Sequence, residues 1–425
     1  MSSTKTETTA PKNKTPLLSS KLLLFMFTMV LANTAGHMYG PLLPLYLKDL
    51  NASVVQIGLF FTISSIIPLA LQILGGWISD TLGRLRSIAF GSAIGVLGYV
   101  GLILAPSWQW VLVGIGLGSI TRALVGPSFN AFIAEQSSEE SRARVYGITE
   151  AIFMVVAVIG PPLGGWLAGE YGFKIMLACS GVLYTLATII RIFMARSAAR
   201  GEEANPDKLS LKNLQISLRA MLGMILSGGI VTWILITDGV RDIAFNLSFN
   251  LYPVYMDEIG GLTLMQIGWL ESFFAIFMML TTFPAGWLAD RRGERLGIVL
   301  GFVLQFVALM AFLNMSGFWG YAAAWAIFGV GVGLMSPAYQ SVISKAIPEK
   351  LRGTAFGLFS SSLGVISLPA PAVGARIWQR FGPAAPFRIT AWLSLLAIIP
   401  VWRKFKLPEN GKEEEINALQ DTATG

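Results

Sequence analysis

Two short stretches of nearly the same sequence decide the fold of this chain. Residues 76–86 read Gly-Trp-Ile-Ser-Asp-Thr-Leu-Gly-Arg-Leu-Arg, and residues 286–295 read Gly-Trp-Leu-Ala-Asp-Arg-Arg-Gly-Glu-Arg. Each stretch joins two long apolar segments, and the second begins 210 residues after the first (286 against 76). A recurrence at a fixed offset of this length indicates an internal repeat.

The composition indicates a protein that is embedded in a membrane. The chain has 425 residues, of which 54% are hydrophobic and 13% are charged, about half the charge of a soluble domain. Soluble domains built from this chain would lack the charged residues that their surfaces need. The high apolar content also excludes a disordered chain, and the single cysteine, Cys179, excludes a disulfide-rich scaffold.

Twelve apolar segments are long enough to cross a bilayer as helices, which takes about 20 residues each. The first six are predicted at 20–46, 54–78, 86–105, 108–134, 143–168 and 172–195. The second six are predicted at 219–256, 263–286, 296–314, 317–345, 353–379 and 384–404. We therefore expect two six-helix bundles, 20–195 and 219–404, with a charged linker at 196–218 and polar tails at 1–19 and 405–425.

The repeat predicts how the two bundles are related. Both basic stretches lie on the same side of the membrane, so each half crosses the bilayer an even number of times. The expected fold is therefore an all-α membrane protein in which two pseudo-symmetric six-helix bundles are related by an axis along the membrane normal. Transporters use such parallel repeats, with the substrate site between the halves.

The distribution of basic residues predicts the orientation. Of the 31 Lys and Arg residues, 24 lie in the tails, in the even-numbered loops or at the helix ends beside them, and five lie on the opposite side. This asymmetry places both termini in the cytoplasm and predicts a multi-pass protein of the cell (inner) membrane. Because the basic residues are spread over many short loops, the net charge of +7 sets topology and is not a nucleic-acid patch.

The two repeated stretches closely resemble the signature of the major facilitator superfamily, G-x-x-x-D-R-x-G-R/K-R/K, which recurs in weaker form in the second half. The resemblance covers residues 20–405 and implies a fold of twelve transmembrane helices. In the family the Asp joins a charge network that latches one state of the carrier, although Thr81 stands here where Arg is usual. The implied gating residues are Gly76, Asp80, Gly83, Arg84, Gly286, Asp290, Arg291 and Gly293. The alternative is a basic loop that only sets topology.

Three further motifs resemble family elements. Glu135 and Arg142 match an E-x6-R pattern and are added to the predicted gate, although an interfacial charge pair of little energy is the alternative. Residues 160–165, Gly-Pro-Pro-Leu-Gly-Gly, resemble an element of the drug–proton antiporters of the superfamily, but small residues also allow close helix packing. Arg122 in span 4 resembles an Arg that the superfamily links to proton transfer. The resemblance therefore favours the antiporter-like branch.

Six charged residues lie within the predicted spans, where a charge costs at least about 2.5–3.5 kcal/mol and should face a partner or water. They are Arg122, Glu150, Asp238, Arg241, Asp242 and Glu271. Asp238 and Asp242 share one helical face, and Arg241 lies beside them. One Arg next to two carboxylates leaves one carboxylate in excess, which we expect to carry a coupling proton. The alternative is a self-neutralised cluster that only positions its helix.

Other polar residues within the spans are candidates for a cavity wall. A buried pair between Arg122 and Glu150 is expected, and Glu271 is ranked lower because it lies near the outer end of span 8. We expect four further residues to bind substrate or protons: Asn33, His37, Asn246 and Asn250. Asn246 and Asn250 extend the polar stripe of span 7 at four-residue steps, whereas His37 has a packing role as its alternative. One histidine alone cannot form a metal site, so no metal or cofactor is expected.

The expected function is secondary active transport of a small solute by alternating access, with proton-coupled export of organic or amphipathic compounds as the favoured form. Proton-coupled uptake or facilitated transport of a metabolite, such as a sugar or organic anion, is the alternative. A third reading is a membrane receptor that does not transport. No enzyme constellation or Walker motif occurs in the sequence, so we expect no catalysis. The expected partners are the solute, protons and the lipid bilayer, and the expected state is a monomer.

Overall fold

The computed structural model describes residues 19–137, 139–198, 230–346 and 364–405, and within them the chain is helical and contains no strand. Side chains are not described at 70, 72–82, 139–140, 143, 198, 230–231 and 290. An all-α fold is therefore confirmed for the described residues. Residues 199–229, which include most of the linker and the start of predicted span 7, and residues 353–363 of predicted span 11 lie outside the described residues, as do the tails apart from residues 19 and 405.

The N half is the set of helices α1–α7. Their bounds are α1 Ser20–Tyr39, α2 Leu43–Asp49, α3 Val54–Leu82, α4 Arg84–Leu104, α5 Trp108–Gln136, α6 Glu139–Tyr171 and α7 Phe173–Ala198. Predicted span 1 is broken between α1 and α2, and Pro44 lies in the first turn of α2. Proline suits this position because its missing N–H would have no helical partner there.

The C half is the set of helices α8–α15, which repeats the same order. Their bounds are α8 Ile230–Ser248, α9 Tyr252–Glu258, α10 Leu264–Arg292, α11 Glu294–Asn314, α12 Gly317–Ala346, α13 Ala370–Phe381, α14 Ala385–Leu396 and α15 Ile398–Lys404. A 3-10 turn, Phe249–Leu251, separates α8 from α9, and Pro253 occupies the first turn of α9 as Pro44 does in α2.

Nine helices of the described residues are long and apolar enough to cross a membrane. Their outward surface is apolar, with Phe283 82%, Trp319 74% and Leu104 71% exposed. Such side chains have a suitable environment in lipid, which explains why this surface carries few charges. The full number of twelve spans stays a prediction, because parts of spans 7 and 11 are not described.

Local sequence signals repeat at equivalent helix ends. Ser53 with Gln56 caps α3, and Thr263 with Gln266 caps α10, each through a reciprocal pair of side-chain hydrogen bonds. Gly83 and Gly293 have φ angles of 83° and 86° where the chain turns into α4 and α11. Glycine adopts this backbone region without steric penalty, so both predicted gating glycines have a structural reason to be present.

The halves pack against each other through α3 with α13 and α6 with α10. A Cβ added at Gly165 would collide with the backbone of Leu264, and one at Gly268 with the backbone of Pro161. Within the N half, a Cβ at Gly164 would collide with the backbone of Met38 in α1. The motif at 160–165 therefore serves close helix packing, which was the alternative to a transport role.

Candidate functional site

The C-half cavity is a space of about 460 Å³ between α8, α11, α12 and α14. Its polar lining consists of Asp238, Arg241, Asp242, Gln305, Ser336, Tyr339, Gln340, Thr390 and Ser394. Small-molecule sites have volumes of about 300–1,000 Å³ and combine apolar walls with a few polar groups. This cavity therefore has the size and lining of a site for a small solute or for water and protons.

The ion cluster of the C-half cavity has the composition that its spacing on α8 predicts. Nη2 of Arg241 lies 2.7 Å from Oδ1 of Asp238 and 3.1 Å from Oδ1 of Asp242. Asp238 is 6% exposed, while the side chain of Asp242 is 29% exposed. The guanidinium carbon of Arg241 also lies 5.0 Å from the ring centroid of Tyr339. One cation thus pairs with two carboxylates, so the cluster has a net charge of −1 when both carboxylates are ionised.

The predicted polar stripe along α8 stops short of its full length. Asn246 donates from Nδ2 to the backbone oxygen of Asp242 at 2.8 Å, and it does not line the C-half cavity. Asn250 lies in the 3-10 turn that follows α8. The expectation of a stripe at four-residue steps was wrong beyond Asn246, because α8 ends at Ser248 and the helical period ends with it.

The N-half cavity is a space of about 410 Å³ between α1, α4, α5 and α7. These helices are the repeat equivalents of α8, α11, α12 and α14, so the two cavities occupy equivalent places. The described residues that line it include Asn33, Arg122 and Arg191 but no Asp or Glu. The lining glycines allow close contact, since a Cβ at Gly114 would lie 2.8 Å from the backbone oxygen of Gly98.

Arg122 reaches into the N-half cavity from α5. Its side chain is exposed there, and Nη2 donates to Oγ of Ser119 at 3.0 Å. Glu150 is also exposed, and it forms no ion pair with Arg122. The expected buried pair was therefore wrong. Its physical reason is that α6 packs on α1 and α10 and makes few contacts with α5, so neighbours in sequence are not close partners in space.

Arg191 in α7 is the charged residue that the sequence analysis missed. It is 1% exposed, and Nη1 donates to Oγ of Ser92 at 2.8 Å. Nε donates to Oγ1 of Thr28 at 3.1 Å, and Nη2 reaches the backbone oxygen of Thr28 and Sδ of Met29. The topology count groups Arg191 with the basic residues around the linker. The available signal was its place between the mainly apolar stretches 186–190 and 192–195.

Three tyrosines form an aromatic wall of the N-half cavity. The ring centroids of Tyr39 and Tyr99 are 5.7 Å apart, and those of Tyr99 and Tyr184 are 5.1 Å apart. All three line the cavity. Aromatic faces and hydroxyl groups together suit a solute that has both an apolar body and a polar end.

Two other predicted residues lie away from both cavities. His37 lies where α1 meets α6, and a Cβ added at Gly160 would lie 2.5 Å from its Cβ. This is the packing position that was its alternative. Glu271 in α10 accepts a hydrogen bond from Nε1 of Trp325 at 3.4 Å and lines neither cavity.

The predicted gating residues form matching charge pairs at the proximal end, defined as the end of the bundle with Gly83, Gly293 and Phe405. Nε of Arg84 lies 3.3 Å from Oε1 of Glu135, and Glu294 pairs with Lys345. Arg84 and Glu294 are repeat equivalents, as are Glu135 and Lys345, so each half has the same pair with the charges exchanged.

The other predicted gating residues have separate surroundings. The side chains of Asp80 and Asp290 and the surroundings of Gly76 lie outside what the structure describes. Arg291 is exposed and stacks on Trp287 at 4.5 Å. Gly286 has open space where a Cβ would be. Glu135 pairs with Arg84, and Arg142 is not part of that pair.

An ion pair joins the halves at the distal end, defined as the end with the loops 50–53 and 259–263. Nζ of Lys48 lies 2.7 Å from Oδ2 of Asp257 and 2.9 Å from Oε1 of Glu258. Burial alone lowers the pKa of Lys48, but the hydrogen bonds to the two carboxylates outweigh it and raise the pKa above its usual value. The sequence analysis missed this contact, although Lys48 is one of the few basic residues at that end.

Comparisons with a family model and with known proteins point to the same family. The model of the Major Facilitator Superfamily matches residues 24–260 and 234–423. The chain is 26% identical to a multi-drug resistance efflux pump PmrA homolog of Lactococcus lactis, over 79% of this chain and 83% of the relative. It is 24% identical to the multidrug resistance protein MdtG of Citrobacter koseri, over 88% and 92%.

The fold is also found among solved structures. A bacterial homologue of the iron transporter ferroportin, crystallised in an inward-facing state, superimposes with a TM-score of 0.73. The alignment covers 90% of this chain and 98% of that chain at 16% sequence identity. At this level of identity the similarity shows the fold alone.

Proposed function

The chain belongs to the major facilitator superfamily of membrane transporters, and from this membership we propose that it exports organic or amphipathic compounds in exchange for protons. The direction is supported by relatives that are named as multidrug efflux and resistance proteins. We further propose that residues 20–195 and 219–404 are the two moving bundles, that both termini are cytoplasmic, and that the chain works as a monomer in the cell membrane.

The observation that carries the coupling proposal is the ion cluster of the C-half cavity. Arg241 neutralises one of its two carboxylate partners, so the other is free to bind and release a proton. Proton binding would cancel the net charge of −1 and change how strongly Arg241 is held to each carboxylate. A group whose charge state alters the packing of α8 can bias the equilibrium between two carrier states.

The proximal charge pairs are proposed as the gate. In each half a pair joins the start of one helix to the end of the next, Arg84 to Glu135 and Glu294 to Lys345. Such pairs hold their helices as one rigid unit during rocking. The predicted residues Gly76, Asp80, Arg142, Asp290 and Arg291 are proposed to complete this gate.

The test is flux in proteoliposomes with an imposed pH gradient. We expect wild-type protein to move ethidium against the direction of proton flow, and we expect the double variant Asp238→Asn, Asp242→Asn to lose this proton-driven flux by at least about tenfold. Glu170→Gln, which removes an exposed carboxylate at the distal end of α6, is the matched control. Unchanged pH dependence in the double variant would overturn the coupling proposal, and absence of any flux would favour a receptor.

A second candidate function has its own observation. The N-half cavity contains two arginines and no carboxylate among its described lining residues, which favours transport of an organic anion. Uptake and export differ in whether protons move with the solute or against it. The same proteoliposomes, tested with a carboxylate solute inside or outside, separate these two directions.

A further inference from the structure

The N-half cavity has a charge imbalance that the coupling proposal does not use. Arg122 and Arg191 both line it, and none of its described lining residues is acidic. The repeat equivalents of these two positions are Val332 and Val401. The helical scaffold therefore does not require a cation at either position, and the charges have another reason to be there.

The surroundings of Arg191 do not neutralise its charge. Its hydrogen bonds go to two hydroxyls, a backbone oxygen and a thioether sulfur, all of them uncharged. Tyr184 lies beside the same guanidinium. Across the described residues, no carboxylate comes within 4 Å of Arg191. A charge this deeply buried is normally paired, so an anion that enters the adjoining cavity would be favoured.

Arg122 is placed to make the direct contact. Its guanidinium has five N–H donors, and one of them is used on Ser119. Its exposure within the cavity leaves the remaining donors available to a ligand. An Arg side chain presents these donors as a planar fork that matches the two oxygens of a carboxylate or phosphate.

We propose that the N-half cavity binds the carboxylate or phosphate group of an organic anion. Arg122 contacts the anionic group, and Arg191 supplies a fixed positive charge from the buried part of the cavity lining. The aromatic wall packs against the apolar body of the ligand. Tyr39 and Tyr99 lie on two different helices of this wall. The proposal rests on and deepens the second candidate function, the transport of an organic anion, and binding can be measured without any proton gradient.

The test is equilibrium binding to the full chain in detergent by calorimetry, using three probes of similar size: benzoate, benzyl alcohol and benzylammonium. We expect benzoate to bind at least about tenfold more tightly than the other two. Arg122→Gln should remove this preference. Arg191→Gln should weaken it, and Arg191→Lys, which keeps the charge, should restore most of it. Arg196→Gln, at the exposed end of the same helix, is the matched control.

Several outcomes would overturn the proposal. Equal affinity for benzoate and benzyl alcohol would remove the charge preference, and an unchanged preference in Arg122→Gln would place the anion elsewhere. Binding of inorganic phosphate without binding of benzoate would show a site for small inorganic anions only. If Arg191→Gln fails to fold, Arg122→Gln still decides the result, because its side chain is exposed. Absence of proton-driven flux in the wild-type protein, with benzoate binding intact, would contradict the coupling proposal and leave this one standing.

Discussion

The two cavities occupy equivalent places in the repeat but carry opposite charge. The N-half cavity has two arginines and no described carboxylate, whereas the C-half cavity has one arginine between two aspartates. The helices, caps and turns that build both places are shared, as the paired glycines Gly83 and Gly293 show. The difference teaches that the scaffold is duplicated while the charged lining is not, which is what the proposed binding of an anion in one half and a proton in the other requires.

The largest expected effect comes from removing the cation of each cavity. Arg241→Met leaves two carboxylates near each other without a counter-charge, so we expect a loss of about 3–5 kcal/mol in unfolding free energy. Arg191→Met removes a buried charge that has no charged partner among the described residues, but it leaves the buried oxygens of Thr28 and Ser92 without this donor, so we expect a smaller loss of about 1–3 kcal/mol. Denaturation in mixed micelles measures both. Equal losses of unfolding free energy in the two variants would contradict the difference in charge balance between the two cavities.

A smaller effect on the unfolding free energy is expected where α4 packs against α5. A Cβ at Gly114 would lie 2.8 Å from both the backbone oxygen of Gly98 and a methyl of Leu102, so Gly114→Ala should destabilise the chain by about 1–3 kcal/mol. The equivalent residue in the C half is Ala324, which is fully buried and already carries a Cβ at this position. The same unfolding assay applies, with Ala324→Gly as the control at about 1 kcal/mol or less. A Gly114→Ala variant that is more stable than wild type would show that α4 and α5 pack no more tightly than their repeat equivalents, α11 and α12.

The smallest effect concerns the ion pair that joins the two halves. We expect Lys48→Gln to lower stability by less than about 1 kcal/mol at neutral pH, because the pair is over one third exposed. The pKa of Lys48 is raised in the folded state, so the contribution is complete below about pH 10.4 and is lost as pH rises through the raised pKa. Thermal unfolding from pH 7 to 11 measures this, with Lys174→Gln as the control. A stability difference between wild type and Lys48→Gln that grows with pH would contradict the assigned charge states.

Features that depend on one helix or on the repeat could be predicted from the sequence. The Asp238–Arg241–Asp242 cluster follows from spacings of three and four residues on one helix, and the structure confirms it. The turns at Gly83 and Gly293 and the breaks before Pro44 and Pro253 recur in both halves. Local spacing fixes these features because it determines which groups share a helical face.

Features that depend on how helices are placed could not be predicted. The pair expected between Arg122 and Glu150 does not form, since sequence neighbours α5 and α6 are not close packing partners. The cross-half contact of Lys48 with Asp257 joins residues that are over 200 positions apart. The burial of Arg191 depends on α1 and α4 closing around it, which its own segment does not reveal.

One measurement tests most directly the proposal that the N-half cavity binds the anion and the C-half cavity binds the proton. The double variant Asp238→Asn, Asp242→Asn is purified once, and its benzoate affinity in detergent and its proton-driven flux in proteoliposomes are compared with wild type. The account predicts that flux falls by at least about tenfold while the benzoate dissociation constant changes less than about twofold. Loss of both properties together, or flux that keeps its pH dependence, would contradict separate sites for the anion and the proton.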